Sequence, residues 1–263
     1  MTISVASGSD SESTGINVVA LFISDLHLQQ DRPATTAAFL TFLEQQASKV
    51  SQLYLLGDIF EYWAGDDDLD SAYPQQITLA LRKLSDSGVA LFWMAGNRDF
   101  LVGQDFAAAT NATLLNDPHL LSFAHKRYLL THGDQLCTDD LAYQQFRTQV
   151  RQPAWQAAFL ARPLAERKAM IAAMRQQSQQ HQQTQLQQAA QIMDVNLTAV
   201  DDAFATNQAD IMIQGHTHRP AVHQHGKSVR YVLSDWESDG NNLRGDWLAL
   251  LEDGSISRMQ LPG

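Results

Sequence analysis

The chain has 263 residues, enough for one large domain or two small ones and enough to bury a core without disulfide staples. Its 44% hydrophobic and 8% aromatic content excludes a wholly disordered or fibrous protein. Eighteen Lys and Arg against 29 Asp and Glu leave a net charge of −11, which repels polyphosphate backbones, so no nucleic-acid partner is expected.

Residues 1–17 lack the basic start and apolar centre of a secretory signal and read as a disordered tail before a single domain over 18–263. No run approaches the roughly 18 consecutive apolar residues of a membrane span, so membrane contact is expected to be peripheral. One cysteine, Cys137, forbids an internal disulfide and suits a reducing, cytoplasmic setting.

From Val18 onward, short apolar runs alternate with longer amphipathic stretches, the pattern of an α/β (α+β) layered domain. Strands are predicted at Val18 to Ile23, Leu53 to Leu56, Val89 to Met94 and Tyr128 to Thr131. Pro33 suits a first helical turn, with Phe39, Leu40, Phe42 and Leu43 as its apolar face. A second helix is predicted through Ile77 to Leu84, with Gly88 at its C-terminal cap. From Asp139 to about Asn196 the chain becomes Gln- and Ala-rich with no strand signal. Pro153 and Pro163 divide it into two or three helices, an inserted arm. Strands return at Ile211 to Ile213 and Val229 to Leu233, and WLALLEDGSISRMQL reads as a hairpin about the two-residue turn Asp253-Gly254.

Polar residues gather after the apolar runs, where layered α/β sheets place their sites. Five motifs result: Ser24-Asp25-Leu26-His27, Gly57-Asp58, Gly96-Asn97-Arg98-Asp99, Thr131-His132-Gly133-Asp134 and Gly215-His216-Thr217-His218. Each alone has an ordinary reading as turn, helix cap or core histidine. Together they supply seven candidate ligands, enough for two metal ions if the carboxylate of Asp58 bridges them. Carboxylate, imidazole and one amide, without thiolate, favour manganese, iron(II) or zinc, with manganese the first expectation. Two such ions clamp an in-line displacement at phosphorus.

Through this ordered set the sequence resembles the calcineurin-like metallophosphoesterases. Within them FISDLHL, GDIFEYWAGDD, GNRD, THGD, IMDVN and QGHTHRP resemble the UDP-2,3-diacylglucosamine hydrolase (diphosphatase) family. The resemblance implies a two-sheet β-sandwich flanked by helices, with an inserted helical arm. It also implies a lipid A pathway activity, in which a metal-bound hydroxide attacks the uridine-side phosphorus. The pyrophosphate of the glycolipid nucleotide is cleaved to UMP and 2,3-diacylglucosamine 1-phosphate. One ion is then expected on Asp25, His27, Asp58 and His218 and the other on Asp58, Asn97, His132 and His216. Catalytic roles fall to Asp58, Asn97, Arg98 and His132, and substrate contacts to Asn97, Arg98, Asp140, Ser178 and His216. The family's further arm contacts, an asparagine and a lysine, have no match in QQHQQTQLQQ after Ser178.

The wider family carries histidine where Arg98 stands. Arginine stays charged and cannot serve as a proton donor, but its fork suits a pair of phosphate oxygens. A phosphate leaving group needs little protonation near neutral pH, so this exchange favours a pyrophosphate over a simple ester.

Between Arg147 and Arg175 the charge sign reverses, with Arg147, Arg151, Arg162, Arg167, Lys168 and Arg175 against Glu166 alone. Trp155, Phe159, Leu160, Leu164, Ile171 and Met174 supply apolar faces. The arm is therefore expected either to pack on the core or to shelter acyl chains and rest on an anionic membrane, on the cytoplasmic face of the inner membrane. No obligate protein partner is evident. Other readings are a phosphodiesterase or nucleotide pyrophosphatase for soluble substrates, and a metal-stabilised scaffold pairing through the arm, against which Pro153 and Pro163 break any long heptad register. Cys137 as a nucleophile has no motif behind it.

Overall fold

Two mixed β-sheets lie face to face in the computed structural model, which describes residues 17–184, 194–240 and 243–261, with side chains omitted over 177–184. The first sheet is built on β1 (Val18–Ile23), β2 (Gln52–Leu56), β3 (Ala90–Met94) and β4 (Ala112–Leu115), all parallel. Next to β1 run antiparallel β10 (Asp246–Leu251) and then β11 (Ile256–Gln260). The second sheet has β5 (His119–Phe123), β6 (Lys126–Thr131), β7 (Ile211–Gln214), β8 (Ala221–His225) and β9 (Ser228–Val232), in the order β5-β6-β7-β9-β8.

Period-two alternation divides the strand side chains between two cores. Ala20, Phe22, Tyr54, Leu56 and Met94 point inward against Tyr128, Leu130, Ile211 and Ile213 of the facing sheet. Leu21, Ile23, Leu53, Leu55, Leu91 and Trp93 point outward. They pack under α1 (Pro33–Gln45), α2 (Ala72–Asp86) and α3 (Gln104–Thr110). Both faces are covered, which is why these strands read as unbroken apolar runs. The outer face of the second sheet packs Leu129 and Met212 against Cys137 and against Val200 and Phe204 of the last helix, α7 (Leu197–Asn207).

Pro33 begins α1 as expected, and Gly88 follows α2 at a φ of +101°, a conformation open to glycine. The terminal hairpin forms, but its connection is the four residues 252–255 rather than two. The amide of Gly254 donates to the Leu251 carbonyl there, with Gly254 at a φ of +75°. Strands β4, β5 and β8 are additions to the sequence reading, because their short mixed stretches carry neither clean alternation nor an apolar run.

Between β6 and β7 the chain forms α4 (Leu141–Val150), α5 (Pro153–Leu160) and α6 (Leu164–Thr184), the helices that Pro153 and Pro163 announced. Their basic side chains turn toward the core. Arg167, 1% exposed, donates to the carbonyls of Ala64 and Arg162 and pairs with Asp67, and Lys168 pairs with Asp68 at 2.7 Å. Arg147 Nε pairs with Asp134 at 2.8 Å, and Arg151 donates to the Gly96 carbonyl at 2.8 Å. Arg175 pairs with Glu61 at 2.7 Å, whereas Arg162 pairs with Glu166 at the surface. The basic stripe expected to meet a membrane is thus largely spent on docking the arm. The expected tail falls on residues 1–16, outside the described residues, while Asn17 exchanges hydrogen bonds with Glu252.

Candidate active site

The carboxyl ends of β1, β2, β3, β6 and β7 meet along one edge of the sandwich, and each of the five motifs leaves a strand there. Two groups of side chains converge. Asp25, His27 and His218 form one, and Asp58, His132 and His216 the other, with the ligand atoms of each group within 4.8 Å of one another. His27 Nε2 lies 3.1 Å from His218 Nε2, and His218 Nε2 lies 3.3 Å from Asp25 Oδ1. Asn97 joins the second group, its Oδ1 being 2.9 Å from both His132 Nε2 and His216 Nδ1. The structure therefore brings together all seven residues expected as metal ligands.

The loops are built around these atoms. Asp25, His27, Asp58, His216 and His218 all adopt positive φ, between 49° and 68°. For residues with a side chain this conformation costs on the order of 1 kcal/mol each. The motif glycines are required by space. A Cβ on Gly96 would lie 2.2 Å from Asp58 Oδ1, one on Gly215 2.2 Å from Asp25 Oδ2, and one on Gly57 2.6 Å from His132 Nδ1.

Charge and orientation fit a pair of divalent cations. The amide of His216 and the hydroxyl of Ser24 both donate to Asp25 Oδ2, whereas Asp25 Oδ1 is buried and accepts no hydrogen bond from the described residues. Glu61 Oε2 faces His27 Nδ1 at 2.8 Å, which favours the proton on Nδ1 and leaves Nε2 as a lone-pair donor. His132 Nδ1 faces the Leu56 carbonyl at 3.0 Å, so its ring proton sits there and Nε2 is turned to Asn97 Oδ1. A cation or a second ring proton would bridge these two facing acceptors. Burial disfavours the imidazolium, yet Asp58, Asp25, Asp134 and Asp117 push His132 up to about 9, the mark of a field that retains positive charge. His216 is pushed down to about 4 by burial and by the charge of His132, which keeps it neutral. With acceptors of this type already converging, the residues present fit a two-cation site.

Three carboxylates outside the seven candidate ligands position the site. Asp99, 0% exposed, accepts the amides of Gly96 and Ile59 at 2.8 and 2.9 Å and those of Asp58 and Phe60 at 3.3 Å. It therefore ties the Gly57-Asp58 and Gly96-Asn97 loops to one another rather than capping a helix at Phe100, and burial with Asp58 nearby pushes it up to about 6. Asp134 receives Tyr143 Oη and Arg147 Nε, and the Tyr143 ring lies along that of His216. Glu61 holds His27 and Arg175. Asp99 and Asp134 ended two of the motifs and were legible as such. Nothing local marked Glu61.

Arg98 donates its amide to Asp58 Oδ1 at 2.7 Å, and among the described residues its guanidinium has no ion pair. That guanidinium, with His27 and Arg175, overcomes the effect of burial and holds Glu61 down at about 2. Asp140, expected at the substrate, caps α4 by accepting the Tyr143 amide at 2.9 Å. Ser178 is in α6, and its side chain lies outside the described residues. Cys137 is buried and its thiol is pushed up to about 12, chiefly by burial, which removes it as a nucleophile.

The profile of the calcineurin-like phosphoesterases matches residues 19–220. The chain is 50% identical over 234 residues to a UDP-2,3-diacylglucosamine hydrolase of Aromatoleum aromaticum, covering 86% of this chain and 93% of that protein. Similar proteins of the same description include one from Chromobacterium violaceum, 48% identical over 91% of this chain and 98% of its own length. Another, from Escherichia coli O7:K1, is 44% identical over 86% and 95%.

Proposed function

The chain belongs to the calcineurin-like phosphoesterase family, and from that premise we propose that it hydrolyses the pyrophosphate of UDP-2,3-diacylglucosamine, releasing UMP and 2,3-diacylglucosamine 1-phosphate. The observation that carries the reading is the convergence of Asp25, His27 and His218 beside Asp58, Asn97, His132 and His216. In this reading the first group and the second each hold one cation, Asp58 serves both, and Mn2+ is the native metal. When bound, two divalent cations supply a water acidic enough to ionise near neutral pH and a positive field over the phosphoryl oxygens.

The chain's own residues do the rest. Asn97 and His216, beside the residues that would hold the cations, would contact the scissile phosphate. Arg98, whose guanidinium makes no ion pair among the described residues, offers its fork to the oxygens that gain charge as the bond breaks. The leaving 1-phosphate departs without a proton donor, consistent with arginine at position 98. Asp99 and Asp134 hold the ligand loops in place, and Asp140 and Ser178 lie on the arm side where the glycolipid is bound.

The exposed apolar side chains of the arm, Leu141, Phe146, Leu160 and Met174, supply contact with acyl chains or a lipid surface, since most of the basic side chains are engaged by the core. Among the described residues no helix is long and apolar enough to cross a membrane, and attachment to the cytoplasmic face of the inner membrane is accordingly peripheral in this reading.

Incubation with Mn2+ and UDP-2,3-diacylglucosamine, beside the unacylated UDP-sugar, tests the assignment. UMP released from the acylated substrate alone supports it. Turnover of a generic phosphodiester with neither UDP compound cleaved refutes the lipid substrate while leaving the metal site standing.

A further inference from the structure

Of the arm's cations, one reaches a metal-ligand side chain through a single intermediary. Arg175 Nη2 of α6 lies 2.7 Å from Glu61 Oε1, and the other oxygen of the same carboxylate lies 2.8 Å from His27 Nδ1. Glu61 comes from the segment after β2 and His27 from the segment after β1, so three distant parts of the chain meet on one carboxylate. The arrangement is enclosed: the His27, Glu61 and Arg175 side chains are 10%, 13% and 25% exposed. The Arg175 guanidinium also lies 5.7 Å above the Tyr62 ring, and its Nε is buried with no hydrogen-bond partner among the described residues. A carboxylate so placed is held from two sides. Each of its oxygens is committed, and removing either neighbour frees it to turn.

Resting on the reading of His27 as a metal ligand, we propose that Glu61 and Arg175 are positioning residues that couple the seating of the arm to cation binding on the Asp25–His27–His218 side. Glu61 orients the imidazole and raises the basicity of Nε2, while Arg175 fixes Glu61 and exists in that place only when α6 is docked. Loss of an outer partner of this kind weakens a metal site by about 10- to 100-fold. Because coupling free energies are reciprocal, a cation on that side must hold the arm down by the same factor. Lys168, about two turns away on α6, serves as the internal control: it also docks the helix, through Asp68, but among the described residues pairs with no candidate ligand or ligand partner.

The test measures Mn2+ binding to metal-stripped protein by calorimetry and by the electron paramagnetic signal of free Mn2+, alongside proteolysis of the arm. The full-length wild type binds two ions, and Mn2+ slows arm cleavage. Arg175→Gln and Glu61→Gln weaken one of the two ions by about tenfold and leave the other unchanged. Arg175→Lys recovers most of the loss, Lys168→Gln loses none, and in Glu61→Gln Mn2+ no longer protects the arm. Circular dichroism confirms that each variant is folded, and Arg175→Lys and Glu61→Gln decide the matter should Arg175→Gln not fold. Unchanged affinity in folded Arg175→Gln and Glu61→Gln overturns the coupling, as does an equal loss in Lys168→Gln, which would trace the effect to docking in general. Failure of the wild type to bind any ion overturns the metal reading itself, a result distinct from both.

Discussion

Gly96→Ala adds one methyl group at a distance from any charge change, and its effect can be worked from the structure. The new Cβ would sit 2.2 Å from Asp58 Oδ1, 2.3 Å from the Asp58 amide nitrogen and 2.9 Å from Cγ. Contacts under 3.0 Å are essentially never seen for a real Cβ, so the Asp58 carboxylate and its backbone must both retreat. The side chain alone cannot absorb the shift, because Arg98 N holds Oδ1 at 2.7 Å. Nor can the loops part freely, since Asp99 binds the amides of Gly96 and Asp58 with a single oxygen. A displacement of about 1 Å at a catalytic group costs on the order of 100-fold in turnover. Overpacking costs about 1–3 kcal/mol, which in a chain of this size lowers Tm by several degrees. The assay pairs kcat with bound metal per chain by elemental analysis, expecting both to fall while circular dichroism stays native. Wild-type metal content with turnover within about threefold of wild type would refute the idea that this glycine is required by the Asp58 carboxylate.

Asp58→Ala should abolish hydrolysis and lower bound metal on both sides of the centre; retention of full metal content with high turnover, by elemental analysis and UMP release, would exclude Asp58 as the shared ligand. Arg98→Lys should keep metal content and reduce kcat by about 10- to 100-fold, because a point charge replaces a planar fork; unchanged kcat would show that the fork plays no part. Cys137 should resist iodoacetamide in the folded protein from pH 7 to 10 and react only on unfolding. The sign follows from burial: the folded thiol titrates near 12, above its unfolded value of 9.0, so its contribution to stability is present below pH 9 and lost as pH rises toward 12. Labelling of the native protein at pH 8 at the rate of the denatured chain would contradict this.

Sequence and structure agree most closely where one physical cause dominated. The strands flanking the site are buried on both faces, so β1, β2, β3, β6 and β7 appeared as plain apolar runs, and the seven candidate ligands stood at their ends. The arm's helices were announced by Pro153 and Pro163, but its orientation was not, because a basic amphipathic helix looks the same whether its cations meet lipid phosphate or core carboxylates. Only the fold brings Asp67, Asp68 and Glu61 opposite Arg167, Lys168 and Arg175. Glu61 was invisible for the same reason, since its importance comes from neighbours in two other segments. Asp140 shows the converse: the position was matched by resemblance, and the structure uses its carboxylate at a helix terminus.

The left-handed backbone of Asp25, His27, Asp58, His216 and His218 sets the fold and the chemistry in opposition. Five side chains are held where only glycine rests easily, and the protein remains folded in spite of them. A glycine at any one of these positions would relieve local strain while deleting a candidate ligand, so the residue that suits the backbone and the residue that suits the chemistry are not the same. Searches for hardier variants that score folding alone place no value on the chemistry of these side chains, and selection for turnover has to accompany them from the first round.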